Sequence, residues 1–290
     1  MLWLFLSLIT ALSVAVRDVS IKAVFEDMEP LKIAGLELFW ALPILLGMLL
    51  LAVPVPELDS TFWWVFIISL PLNWLAYILY LLAIKASPVS LSVPLLAFTP
   101  VFMILTGFLV LGETINQWGG LGICLIVFGS YILNLEKKEK GILEPIIAVF
   151  REKGSFLMLI VAILFSFAAV LGKKAILHSS ALFFSFFFFL VFDAIFLAGL
   201  LITGKTSINH IVKYSRKGIM LGLLQVIHVG CHGLAVALAT AVYMIAVKRS
   251  SILFTVLLGC LILKEDRIRT RGPGALLMFL GVILITVLVP

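Results

Sequence analysis

Apolar stretches near twenty residues long recur from one end of the chain to the other. A bilayer core of about 30 Å needs roughly 20 residues of helix to cross it. Only helices or closed barrels satisfy their backbone groups inside lipid, and these stretches are too long and continuous for barrel strands of about ten residues. Composition agrees: 63% of the residues are hydrophobic and 12% charged, with a mean hydropathy of +1.25. Soluble domains carry about 25% charged residues, so a water-soluble fold would lack the polar surface to cover itself. The chain reads as an all-α, multi-pass integral membrane protein.

Charges, Pro, Gly and Asn cut the sequence into ten expected spans: 2–25, 31–53, 62–84, 91–111, 119–135, 155–176, 181–203, 216–238, 242–263 and 273–289. Leu2–Val16 has the apolarity of a signal-peptide core but no basic start, and reads as the first span. The run Phe183–Phe189 is expected on a lipid-facing surface. Cys124, Cys231 and Cys260 all fall inside apolar stretches, an odd count without paired spacing, so neither a disulfide framework nor a zinc ribbon is expected. Between the fifth and sixth spans, Glu136–Gly154 has charged ends around a short apolar centre, which suits an interfacial segment.

The net charge of +6 does not point to nucleic acid, because the basic residues cluster in short links where they meet lipid headgroups. Links after odd-numbered spans hold Lys137, Lys138, Lys140, Arg267, Arg269 and Arg271, among others, and links after even-numbered spans hold essentially none. The positive-inside rule then puts the odd links in the cytoplasm and both termini outside.

Adding 152 to a residue number aligns the two halves without a gap. Lys22 and Ala23 fall on Lys174 and Ala175, Gly107 on Gly259, Glu113 on Glu265, and Gly122 and Gly129 on Gly274 and Gly281. The expected organisation is a first five-helix repeat over 1–135, a linker over 136–154 and a second five-helix repeat over 155–290. Five is odd, so the second copy must be inverted, a recurring plan of secondary transporters with the site near mid-membrane.

Residues 81–133, "LLAIKASPVSLSVPLLAFTPVFMILTGFLVLGETINQWGGLGICLIVFGSYIL", and their echo at 243–285 resemble the EamA family of the drug/metabolite transporter superfamily. The shared features are a Pro-broken span ending in Leu-Gly-Glu, then a Gly-rich entry into the next span. The resemblance implies ten transmembrane helices as two inverted repeats, with the fifth and tenth peripheral and eight around a cavity that works by alternating access. It also implies termini inside, against the charge count. The small multidrug-resistance relatives carry a proton-binding Glu eight residues before a Lys; here Lys22 fits the Lys but Val14 stands in the carboxylate's place. The expected location is a bacterial or archaeal cytoplasmic membrane.

Polar residues inside spans are costly and so invite functional readings. Asn73, Tyr77 and Tyr80 share one face of the third span, and Gln225, His228 and His232 one face of the eighth. The repeat maps Asn73 onto Gln225 and Tyr80 onto His232, so both stripes are expected to face one cavity, with interhelical hydrogen bonding as the alternative. Asp18, Lys22 and Glu26 form a self-neutralising ladder on the first span, while Arg17 could pair with Glu37 or bind an anion. Lys248 and Arg249 either snorkel to the interface or form an anion clamp, and a Lys-Arg pair here looks like the phosphate-binding pair of related sugar-phosphate translocators. Glu37, Asp193 and His228 are proton-coupling candidates. Glu113 and Glu265 read as caps or anchors between helices. The glycine pairs seven residues apart suit close packing, or homodimerisation through the fifth or tenth helix.

The leading expectation is a secondary carrier of a small metabolite, anionic or zwitterionic, such as an amino acid, organic acid or phosphorylated compound. Its partners would be that substrate and the lipid bilayer, with no cofactor, metal or nucleic acid. No nucleotide-binding loop of the form G-x-x-x-x-G-K-[ST] occurs. The alternative cargo is a divalent metal held by His228 and His232, four residues apart on one face. From other classes, a receptor or structural role stands as a rival. An intramembrane enzyme is another, although no paired aspartates or Ser/His dyad is evident.

Overall fold

The structure, a computed structural model, describes residues 1–25, 28–86, 93–134, 152–262 and 268–288. Glu26, Glu265 and most of the segment 136–154 lie outside the described residues. The principal helices are α1 (Leu2–Val24), α2 (Pro30–Leu51), α3 (Ser60–Ala86), α4 (Thr99–Leu111), α5 (Gln117–Asn134), α6 (Lys153–Leu177), α7 (Ala181–Ile202), α8 (Ser215–Leu238), α9 (Ala241–Ile262) and α10 (Ile268–Val287). A 3₁₀ turn over Val93–Phe98 leads into α4, and a short helix, Ile208–Lys213, precedes α8. No strand occurs among the described residues. Seven of the helices, α1, α2, α3, α6, α7, α8 and α9, are long and apolar enough to cross a membrane. Three shorter apolar helices accompany them over Leu95–Leu111, Gln117–Ile132 and Gly272–Val287. The chain is an all-helical membrane protein.

Local chemistry explains the helix ends. Pro30 opens α2, where a missing N–H costs nothing. Gly112 ends α4 in the left-handed region at φ 68°, so that its N–H and that of Glu113 return to the carbonyls of Phe108 and Gly107. The turn aims Glu113 back at the bundle. Within α1, Ser7, Thr10 and Ser13 donate to the carbonyls four residues earlier, satisfying hydroxyls buried in an apolar setting. α9 is interrupted: one piece ends at Lys248 and the next begins at Ser251, so both cations sit at the break.

The helices around the centre pack across the two halves of the chain: α1 on α8 and α9, α3 on α6, α2 on α7 and α8, and α4 on α6. α5 and α10 pack chiefly on each other. Their glycines meet there: a Cβ on Gly122 would lie 2.8 Å from the Gly281 carbonyl oxygen, and one on Gly129 2.6 Å from that of Gly274. The small-residue faces of α5 and α10 are thus occupied within one chain.

The phenylalanine run corrects an expectation. Phe183, Phe184, Phe186 and Phe188 are buried, not spread against lipid. Phe183 and Phe187 stack on each other, and Phe66 of α3 stacks on Phe187 at 5.1 Å between ring centres. A helix that is apolar all round does not announce which face turns inward; here the aromatic wall of α3 takes it.

Candidate functional site

Two cavities of about 270 and 280 Å³ adjoin at the centre of the bundle, sharing Asn73, Phe165, Phe189, His228 and Val229 as walls. Their polar linings differ in sign. The first lobe is faced by Lys173, His228, His232, Lys248 and Arg249, with Ser69, Thr99 and Ser185. Among the described residues no carboxylate lines it. The second is faced by Arg17, Glu37, Tyr77, Asp193, Gln225 and His228. Val14 lines this lobe as well.

Each charge has a local history. Arg17 grips Glu37: Nε lies 2.6 Å from Oε1, and Nη2 donates to Oε2 at 2.7 Å. Of the two expectations for Arg17, pairing is the one found. Asp18 sits 3.8 Å from the same guanidinium on the half-exposed side of α1. Lys173, in the last turns of α6, pairs with Glu113 and donates to the Ala239 carbonyl at 2.5 Å. The other Glu113 oxygen accepts the Ala241 N–H at 2.9 Å, so one carboxylate ties α4 to α6 and to the start of α9. Glu113 is an anchor between helices, as its place after Leu-Gly implied.

Lys248 and Arg249 differ from these two cations. Arg249 Nη2 donates to Thr99 Oγ1 at 2.9 Å, while its buried Nε has no partner. Neither side chain forms an ion pair with any described carboxylate. The break in α9 presents them to the first lobe. His228 and His232 stand above one another with rings 5.9 Å apart and nearly parallel, 11° between planes. His228 Nδ1 reaches the Thr10 carbonyl at 3.5 Å. Gln225 Nε2 donates to Asp193 Oδ2 at 2.7 Å.

Asn73 and Tyr77 from α3 and Gln225, His228 and His232 from α8 do line this space. Tyr80 does not; it stacks on Tyr77 with ring centres 6.4 Å apart. The phenyl rings of α6 and α7 that complete the walls, Phe165, Phe184, Phe188 and Phe189, were invisible to a reading confined to polar residues. The Lys173–Glu113 pair was also missed. Its signal was present: a cation in one half and the Leu-Gly-Glu carboxylate in the other, each too deep to stand alone.

A model of the EamA-like transporter family matches residues 1–135. Those residues are an EamA-like transporter family domain. A solved crystal structure of another protein is similar over 99% of this chain and 96% of its own length, with a TM-score of 0.73 at 11% sequence identity. At that identity the likeness speaks for the fold alone, and it covers the residues beyond 135 as well as those before. No curated protein matches. The chain is therefore an all-helical membrane protein that carries an EamA-like transporter family domain over residues 1–135.

Proposed function

We propose that the protein is a secondary-active carrier, not an enzyme, that moves an anionic or zwitterionic metabolite by alternating access. In this reading ten transmembrane helices form two inverted five-helix repeats, 1–135 and 155–290, around the two-lobed cavity. The helix bounds support the repeat. An offset of 152 carries α1 onto 154–176, beside Lys153–Leu177, and α2 onto 182–203, beside Ala181–Ile202. It carries Thr99, the first residue of α4, onto Ser251, the first residue after the break in α9.

The observation that carries the substrate class is the pair Lys248 and Arg249, which no described carboxylate neutralises, on a lobe that no described carboxylate lines. Arg17 and Lys173 already have acids. An arginine fork with a free N–H and a neighbouring ammonium suits a carboxylate or phosphate. Phe184, Phe188 and Phe189 around them keep water out and strengthen that attraction. Asn73, His228 and His232 would orient the rest of the solute. The metal reading is less well supported: among the described residues no third His, Cys, Asp or Glu joins His228 and His232, and two cations share their lobe.

Purified protein tested for thermal stabilisation by inorganic phosphate, malate, glutamate, alanine and a divalent cation examines this directly, since a ligand of the folded state raises apparent stability. The expected result is stabilisation by one of the first four, followed by flux of that solute in reconstituted vesicles. Arg249→Ala should weaken it about tenfold or more, the worth of a charge-assisted hydrogen bond. Stabilisation by the divalent cation alone, abolished by His232→Ala and untouched by Arg249→Ala, would replace this reading with the metal one. Stabilisation without flux would favour a receptor.

A further inference from the structure

The buried carboxyl groups of the described residues fall into two kinds. Glu37 faces Arg17, and Glu113 faces Lys173. Asp193 lies in the middle of α7, exposes no surface, and pairs with no described lysine, arginine or histidine. Its hydrogen bond comes from a neutral amide, Gln225 Nε2, and goes to Oδ2. Oδ1 has no partner, and neither does Gln225 Oε1 on the same amide.

As a carboxylate, Asp193 would hold an uncompensated charge in apolar surroundings and leave two acceptors without a donor. As a carboxylic acid it is neutral, and Oδ1 becomes a donor. The orphan on Gln225 is an acceptor, the kind of partner that a protonated Oδ1 requires. We infer that Asp193 binds and releases a proton during the transport cycle, with Gln225 as the positioning residue for the protonated form. The step is one proton taken from water onto Oδ1, and its return when the second lobe fills with water. The inference rests on the transporter reading above.

The groups facing Asp193 across that lobe are Arg17 from α1, Glu37 from α2, Tyr77 from α3, and Gln225 and His228 from α8; α6 contributes the apolar Phe165. Arg17 is the cation that could neutralise Asp193, and Glu37 already holds it at 2.6 and 2.7 Å. His228 opens onto the lobe of Lys248 and Arg249 as well. Asp193 is the site that only a proton completes.

Infrared spectroscopy of the reconstituted protein at neutral pH tests this without any solute. The expected spectrum contains a carboxylic-acid C=O band that shifts when the protein is made with carboxyl-¹³C aspartate. Asp193→Asn should remove the band, and Gln225→Ala should move its frequency by taking away the amide partner. Should Asp193→Asn fail to fold, the isotope shift in the unaltered chain, together with Asp193→Glu keeping an acid band that no longer responds to labelled aspartate, decides the matter. Absence of a protonated aspartate band, or its persistence in Asp193→Asn, would overturn the inference. Anion binding at Lys248 and Arg249 is read by thermal shift, so either reading can fail while the other stands.

Discussion

Two seams of the bundle that the proposed repeat relates to each other are built in opposite ways. Where α2 meets α8, backbone meets backbone: a Cβ on Gly222 would lie 2.7 Å from both Ala41 N and the Trp40 carbonyl carbon, and one on Gly218 2.3 Å from the Trp40 ring. The offset maps Gly218 and Gly222 onto Phe66 and Leu70, and Trp40 and Ala41 onto Phe192 and Asp193. At that second seam, between α3 and α7, rings hold the helices apart. Phe66 stacks on Phe187, Trp74 leans on Phe192 with ring centres 6.3 Å apart, and Tyr77 meets Phe196 edge-on at 5.0 Å. The space that this spacing leaves is walled by Phe188 and Phe189 in one lobe and by Phe192 and Phe196 in the other. A shared topology therefore need not mean shared packing. Small residues close one seam, while aromatic spacers keep its counterpart open around a cavity.

The ring-spaced seam has a second difference, which supplies the largest expected effect. Polar ties gather at the end of the molecule where α3 and α7 begin and α6 finishes, foremost Lys173 with Glu113. Both side chains are nearly buried, at 10% and 14% exposure. Removing one partner of a buried pair costs about 3–5 kcal/mol because the other charge is stranded. Lys173→Met should lower stability by that amount in detergent unfolding experiments. Adding Glu113→Gln to it should restore most of the loss, since both charges are then gone. If the double variant is no more stable than Lys173→Met, the pair is not the tie at this end.

The glycine seam should break by addition instead. Gly222→Val places its Cβ against main-chain atoms that cannot rotate away, and overpacking of this kind costs about 1–3 kcal/mol. At the related position, Leu70→Val removes volume from a contact already spaced by side chains and should cost less than about 1.5 kcal/mol. Thermal midpoints of the two variants, measured side by side, compare the seams. Equal losses would mean that the two seams are packed alike.

Much of this was legible before any coordinates. Continuous apolarity fixes helix and membrane, and eight of the ten expected spans agree with the helices within about two residues at each end; the fourth, expected from residue 91, enters through the 3₁₀ turn Val93–Phe98 and becomes α-helical only at Thr99. The tenth begins earlier than expected, because Ile268–Gly272 joins α10 despite its arginines. Polar stripes could be read because a polar side chain in lipid demands a partner or a cavity. For that reason Asn73, Tyr77, Gln225, His228 and His232 can be read as cavity-facing, and they line the cavity, whereas Tyr80 on the same stripe does not. Apolar residues make no such demand. Nothing in a run of phenylalanines distinguishes a ring against lipid from a ring against Phe66, so the aromatic wall of the cavity stayed hidden. Pairing was hidden for a different reason: Lys173 and Glu113 are 60 residues apart, and only the path of the chain brings them together.

The smallest effect concerns the other tie at the same end, Asp59 with His178, and it separates what a cap does from what a charge does. Asp59 precedes α3, and its Oδ1 accepts the Phe62 N–H at 2.8 Å, the bond of an N-cap. Its Oδ2 lies 2.6 Å from His178 Nδ1, just beyond α6. The Phe62 N–H, and after it the His178 ring, hold the Asp59 carboxyl below the usual carboxylate range. A group whose folded value is lowered contributes stability above its ordinary pKa and loses it as pH falls through the folded value. The contribution should therefore be complete at neutral pH and fade only below about pH 4. Asp59→Asn keeps an oxygen for Phe62 and discards the charge. It should lower the thermal midpoint slightly at pH 7, since exposed ion pairs are worth little, and the gap from the unaltered protein should close in acid. A gap that persists below that pH would assign the tie to the cap alone, leaving Lys173 with Glu113 as the charge that holds this end of the ring-spaced seam.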